Sequence, residues 1–512
     1  TSSAVISGTG TIANAGSGTT TLAGATSLSA TLAATAGRLI VGDGSSVAGF
    51  ATVGGLSASA GATLELRSKG LASVNGLSTL GGGTIQAANG ISLGSAANVV
   101  GAGTISGFVS AVQGSRIEAD GGKLTIGDAG SYIGFSSDGL LYTNANEVEL
   151  VDRNVAVLGS LTQLGTGVTG GSLRAANGML LEQGKNLVGR GTVYGNFVNQ
   201  GDVYGDGPTA GQQLVFAAGS TVSGNGSFTN ALFNGTYAPG NSPAITNITN
   251  GGFGNSSTLL VEIGGTQAGA QYDQVQNAGT LSLLGGTLNV VLTNSFMPAP
   301  GDSFQILGYG QLAGDFGTVS LPVFDNGLGW QRLTTGTSMR LVATRLPVSI
   351  DVATGSETLA STGYSSLAYA AALSKTGTGT LILNAADAFA GATSIQQGVL
   401  AITNSAAISS SPLVSLSSGA GFDVGSLSSG YTVPSGQTIA GAGTVLGSVT
   451  FGRGSTLSPG MVSSASGAST SGADMQAGSL LTIVVPEPAA LGLVGVGLGF
   501  LGLGALRRRR VA

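Results

Sequence analysis

The chain has 512 residues, of which 91 are glycine and 42% hydrophobic, while only 8% are charged and the net charge is −5. It contains no cysteine and no histidine, which removes a disulfide framework, a thiol nucleophile, Cys-type metal sites and the ordinary Ser-His-Asp triad. The mildly acidic balance suits neither DNA nor RNA, and high hydrophobicity with little charge argues against disorder although glycine far exceeds its usual share of about 7%.

The chain begins at Thr1 with neither a methionine nor an apolar segment. Export would require a signal peptide, so that peptide is expected to have been removed or the sequence to be truncated. From there on, short alternating apolar runs lie between Gly, Asn, Asp and Ser, the pattern of many short strands joined by tight turns. Lys123-Leu124-Thr125-Ile126, Thr258-Leu259-Leu260-Val261-Glu262-Ile263 and Thr287-Leu288-Asn289-Val290-Val291-Leu292 are examples. No amphipathic helix of ordinary length is expected before the C-terminal tail.

Internal repeats narrow the fold. Thr84-Ile85-Gln86-Ala87-Ala88-Asn89-Gly90 returns as Ser172-Leu173-Arg174-Ala175-Ala176-Asn177-Gly178, and Val100-Gly101-Ala102-Gly103-Thr104-Ile105-Ser106-Gly107 returns at the same offset as Val188-Gly189-Arg190-Gly191-Thr192-Val193-Tyr194-Gly195. A third copy of the second unit runs from Ile439 to Gly447. Repeated strand-turn units predict a solenoid, in which each coil buries its apolar face against its neighbours. The expected fold is all-β, a parallel β-helix with Val, Ile and Leu stacked inside and glycines at the corners. The GxGxxxG spacing differs from the dinucleotide fingerprint, and no helix signal follows it, so it reads as turn chemistry.

A different composition follows, through Tyr237-Ala238-Pro239-Gly240-Asn241-Ser242-Pro243, Gln271-Tyr272-Asp273-Gln274-Val275 and Pro300-Gly301-Asp302-Ser303-Phe304. It resembles a segment of large bacterial surface proteins with β-helical stalks, which implies a β-rich cap or interruption of the solenoid. Asp273 and Asp302 are candidate cation ligands because carboxylates near turns are usual calcium ligands, but Asx-turn and solvent-facing roles fit them better.

Farther on, Leu373-Ser374-Lys375-Thr376-Gly377-Thr378-Gly379-Thr380-Leu381-Ile382-Leu383, Phe389-Ala390-Gly391-Ala392-Thr393 and Gly398-Val399-Leu400-Ala401-Ile402 resemble the autotransporter-associated β-strand repeat. That resemblance implies one or two turns of a right-handed β-helix with Leu381, Leu383, Leu400 and Ile402 pointing inward. It extends to the passenger architecture and not to the secretion route, since the chain ends in one apolar segment instead of a large membrane barrel.

The tail holds Pro486-Glu487-Pro488, the 18-residue apolar run Ala489 to Leu506, and Arg507, Arg508, Arg509 and Arg510. As a helix the run would reach about 27 Å, enough to span a bilayer, and the arginines favour a cytoplasmic C-terminus. This order of elements resembles the PEP-CTERM sorting signal, which implies recognition by a membrane-embedded exosortase and release of the tail. Loss of the four arginines would take the net charge from −5 to −9.

For chemistry, the best candidates are Glu147 and Glu149, followed by Asp152, and the similarly spaced Glu118 and Asp120. On a strand, residues i and i+2 share a face about 6.6 Å apart, within the range in which two carboxylates work on a glycosidic bond. Neither pair has nearby aromatics, the single tryptophan being Trp330, and solvent-facing positions explain both without chemistry. Lys69, Lys123, Lys185 and Lys375 lie in no Ser-x-x-Lys context.

The expected organisation is a β-solenoid over 1–210, an interrupting β-rich module over 211–346, a second β-solenoid over 347–460 with the repeat at 373–402, a flexible linker over 461–482, and the sorting signal with its transmembrane helix over 483–512. The expected function is that of an exported, non-enzymatic surface or extracellular-matrix protein, structural or adhesive and at least transiently anchored in the inner membrane. Its expected partners are an exosortase-type enzyme, the membrane and extracellular polysaccharide, with no nucleic acid, cofactor or metal. Two alternatives are a polysaccharide-binding or polysaccharide-cleaving β-helix using Glu147 to Asp152, and a permanently anchored stalk.

Overall fold

The computed structural model describes residues 8–24, 28–44, 54–130, 133–241, 243–386 and 389–459, with the backbone of two further strands, Ala473–Met475 and Leu480–Leu481. The chain divides into two compact units, Thr1–Phe324 with Leu328–Thr344, and Asp325–Gly327 with Arg345–Ala512. Both are parallel β-solenoids. The only helical element among the described residues is the 3-10 turn Ala360–Thr362.

Alternation makes the strands of the first unit. In Thr258–Ile263 every second residue is buried, and the same holds in Glu147–Leu150 and at the ends of Arg116–Ile126. Successive coils stack these strands in register. One interior column runs through Leu64, Ile85, Ile105, Ile126, Leu150 and Ala175, each paired with the next one coil away and each buried. On another face, Asn98, Arg116, Leu140, Leu161, Asn186, Asp202 and Ser227 form a line of ladder partners. A third face is a 12-stranded sheet beginning at Ala72–Val74 and ending at Thr318–Ser320. The first two faces merge into one 25-stranded sheet because long strands such as Leu77–Ala87 and Asn98–Ser106 run through the corner between them.

Glycine makes that corner possible. Gly101 has φ 130°, and a Cβ placed there would lie 2.0 Å from the Leu80 carbonyl oxygen one coil below. The repeat copy, Gly189, has φ 104° and would meet the Leu164 oxygen at 2.1 Å. No side chain fits such a contact, so the GxGxxxG spacing is indeed turn chemistry. Ladder pairing also explains the repeat offset: Val100 pairs with Glu118, Glu118 with Tyr142, Tyr142 with Gln163, and Gln163 with Val188, the position of its own copy. The repeated segment is therefore four coils long.

The segment 211–346 corrects the expected organisation, because the solenoid does not stop at 210. Leu214–Phe216 pairs in parallel with Gly191–Tyr194 before it and Ala231–Phe233 after it, and the third face continues to Thr318–Ser320. Its altered composition reflects a different filling of the same interior. Phe216 stacks on Phe233 and Phe233 on Phe253, with ring centroids 5.4 Å apart in both pairs, and Phe197, Phe228 and Tyr237 pack around them. Near the end of this unit the strand pairing reverses, where Ser303–Asp315 meets Ser338–Arg345 antiparallel.

The second unit repeats the plan with three smaller sheets of seven, five and three strands. Its core runs through Val348, Leu373, Leu381, Leu400, Phe422, Ile439 and Phe451. Among the described residues no helix is long and apolar enough to cross a membrane. The run from Ala489 to Leu506 lies outside the described residues, as do Pro486, Glu487, Pro488 and Arg507 to Arg510.

Candidate functional site

Glu147 and Glu149 share the outward face of strand Glu147–Leu150, as their spacing predicts. Between them stands Lys123, from the preceding coil. Its Nζ lies 3.0 Å from Glu147 Oε1 and 2.6 Å from Glu149 Oε2, and the hydrogen bonds it donates to these two carboxylates, led by that to Glu149, raise its pKa. On the following coil Arg174 approaches Glu147 at 3.7 Å, and its guanidinium sits 4.0 Å above the ring of Tyr194 one coil later. The result is a surface ladder of cation, anions, cation and ring. Such exposed pairs are individually weak, but they fix the register of neighbouring outward side chains.

A second ladder lies on the adjoining face. Arg116 Nη2 is 2.5 Å from Glu118 Oε2, and its guanidinium carbon lies 4.1 Å above the Tyr142 ring. Asn144 Nδ2 donates to Glu118 Oε1 at 2.8 Å. Burial alone would raise the Glu118 pKa, but hydrogen bonds from Asn144 and Arg116 outweigh it and hold the carboxyl below its ordinary range. Asp120 is exposed at the corner, next to Gly121 and Gly122, and does not share this cluster.

Asp152 departs from the expected grouping with Glu147 and Glu149. The strand ends at Leu150 and the chain turns, so the Asp152 carboxylate is buried, accepting the backbone N–H of Asp128 and of Phe135, both at 2.9 Å. Burial pushes this carboxyl up despite the two hydrogen bonds. Its position makes it a clamp on the neighbouring loop. Asp273 is a second such clamp, accepting the N–H of Ala244 at 2.8 Å and of Glu262 at 2.9 Å, with its pKa raised by burial to about 6. Asp302 accepts the N–H of Ala299, three residues earlier in the chain, at 2.8 Å, a local bond that differs from the expected Asx turn because the donor precedes the carboxylate. No group of three or more Asp or Glu side chains is placed to hold a metal ion among the described residues.

The sequence pattern at 373–402 becomes one coil stacked on the next. Ala372–Thr376 pairs with Ala392–Ile395, and Thr380–Leu383 with Val399–Ile402. Leu381, Leu383, Leu400 and Ile402 are buried, as is Phe389. Lys375 is buried as well, and its ammonium donates to the carbonyls of Thr376 and Gly377 (2.8 Å to the latter) and, across the coil, to Gln397 at 3.3 Å. Burial lowers its pKa, with a smaller opposing influence from Asp351. Residues 373–402 match the passenger-associated-transport-repeat. In this repeat the lysine is an internal staple that binds one corner to the corner above it, a role that its place in a K-x-G-x-G-T-L pattern signals only once the coil register is known. No characterised protein matches the chain.

Proposed function

We propose that the chain is the body of an exported bacterial surface or extracellular-matrix protein with a structural or adhesive role, whose coils follow the right-handed sense that the repeat family implies. The observation that carries this reading is the passenger-associated-transport-repeat seated as an ordinary coil of a parallel solenoid. Such a body offers long outward faces for contact with polysaccharide or neighbouring cells. A non-enzymatic role is supported by the filling of the best carboxylate pair, since Lys123 stands where a glycosidic oxygen would have to enter. The route rests on the tail: Pro486, Glu487 and Pro488 as the motif read by an exosortase-type enzyme, the apolar run as a transient inner-membrane anchor, and Arg507 to Arg510 as the stop.

The test is mass spectrometry of the C-terminus of protein isolated from its native envelope and extracellular fractions. A mature terminus at or before Pro486-Glu487-Pro488 is expected. Recovery only of chains ending at Ala512 in the membrane fraction would overturn the sorting route in favour of a permanently anchored stalk.

A further inference from the structure

Near the end of the first unit the outward face carries a groove of about 360 Å³, lined by residues that include Asn247, Thr249, Gln276, Gln305, Gly308 and Thr337. This volume falls within the range of small-molecule pockets. Asn247, Gln276 and Gly308 are ladder partners on three successive coils, so two primary amides rise from strands about 4.8 Å apart, followed by a position that carries no side chain. Gly308 is what leaves room for the Gln276 amide: a Cβ there would lie 2.1 Å from Gln276 Oε1. Glycine is used here for space, since the backbone needs no positive φ.

The chemistry of the lining selects the ligand class. Among the described residues no carboxylate lines the groove, which disfavours a cation. Arg340, outside the groove, donates through Nη2 to Gln305 Oε1 at 2.9 Å, and no charged residue is among the described lining residues, so nothing in the groove favours an anion. The side chains of Asn247 and Gln276 make no hydrogen bond within the described protein, so each has a donor and an acceptor available together. Adjacent groups that both donate and accept match the vicinal hydroxyls of a sugar. The groove also lies on a sheet face, where an added peptide strand finds no free backbone row.

We propose that this groove is a subsite for an uncharged saccharide, with Asn247 and Gln276 as its principal hydrogen-bonding residues. The proposal deepens the surface reading by giving the class of polymer contacted, and it places that contact away from Glu147 and Glu149. The experiment is calorimetric titration of the full chain, in detergent, with a panel of neutral α- and β-linked hexose oligosaccharides and with uronic-acid oligosaccharides as charged counterparts. Saturable binding of at least one neutral oligosaccharide is expected, weakened tenfold or more by Gln276→Leu and by Asn247→Leu and unchanged by Glu149→Gln. Gly308→Ala, which displaces the Gln276 amide without removing it, is expected to weaken binding as well. Circular dichroism of each variant separates loss of the site from loss of fold. Absence of binding across the neutral panel, preference for the charged oligosaccharides, or binding indifferent to the folded groove variants would overturn the proposal. Those failures leave the position of the mature C-terminus untouched, so this site and the sorting route stand or fall separately.

Discussion

The aromatic stretch of the first unit and the lysine-stapled coil of the second solve the same problem from opposite directions. Around Phe216, Phe233 and Phe253 the coils are joined by what fills them: rings repeat at strand spacing, and each buried ring contributes about 2 kcal/mol or more through burial. At 373–402 the coils are joined by what turns them, because Lys375 gathers carbonyls from two successive corners inside a smaller core without a continuous stack of rings. A solenoid coil must both fill and turn, and either task can supply the tie to its neighbour. The outward ion pairs of Lys123 and Arg116 accomplish neither and add little to stability, although they decide what the surface presents.

The comparison is broken most severely at a corner with no side-chain option. Gly101→Val forces a Cβ against the Leu80 carbonyl at a φ that valine avoids, and a loss above about 4 kcal/mol is expected in urea denaturation followed by the fluorescence of Trp330. Phe233→Ala removes the middle ring of the stack and should cost about 3–5 kcal/mol in the same measurement. Lys375→Met retains the stem but removes the ammonium donor from the Gly377 and Gln397 carbonyls, while the Thr376 carbonyl keeps the Val352 N–H. A loss of about 3 kcal/mol is expected, read by hydrogen exchange as faster exchange across 373–402 with little change across 197–253.

Asp273 sharpens the comparison through pH. Its folded pKa of about 6 lies above the unfolded value, so the folded state holds the extra proton. The associated stability is full below about pH 4 and is lost as pH rises through 6, amounting to about 3 kcal/mol. Asp273→Asn should abolish this component, so that the variant's stability deficit at pH 4 narrows or reverses by pH 7 in thermal unfolding. The smallest effect is expected for Lys123→Met, about 0.2–1 kcal/mol and diminished by salt. A loss as large as that of Lys375→Met would mean that the outer ladder, too, ties the coils.

The parallel solenoid was legible because alternation and corner glycines are local properties, visible at Thr258–Ile263 and in Val100 to Gly107 without knowledge of any partner. Register was not legible. The advance between paired residues on successive coils ranges from 15 positions, Thr221 to Thr236, to 32, Val275 to Leu307, so nothing local announces that Arg174 will cover Tyr194 or that Lys123 will stand between Glu147 and Glu149. The buried place of Asp152 was not legible, because just beyond Leu150 the strand ends and the chain turns inward. The composition at 211–346 suggested an interruption, whereas over 214–253 the coils continue with aromatic residues at inward positions and the strand pairing reverses at Ser303–Asp315 with Ser338–Arg345. The amide groove escaped notice because Asn247, Gln276 and Gly308 become neighbours only through pairing.

The four-coil length of the repeat also bears on how such a chain can lengthen over generations. A copied stretch of gene is inherited without harm only if its two ends arrive at equivalent points of the coil, since any other length would rotate everything downstream and turn apolar side chains toward water. Val100 and Val188 are ladder-equivalent after four steps, so a copy of this length inserts cleanly and leaves later residues on their original faces. Corners of uneven length do not relax that condition, because it counts turns of the coil and is indifferent to how many residues each turn contains.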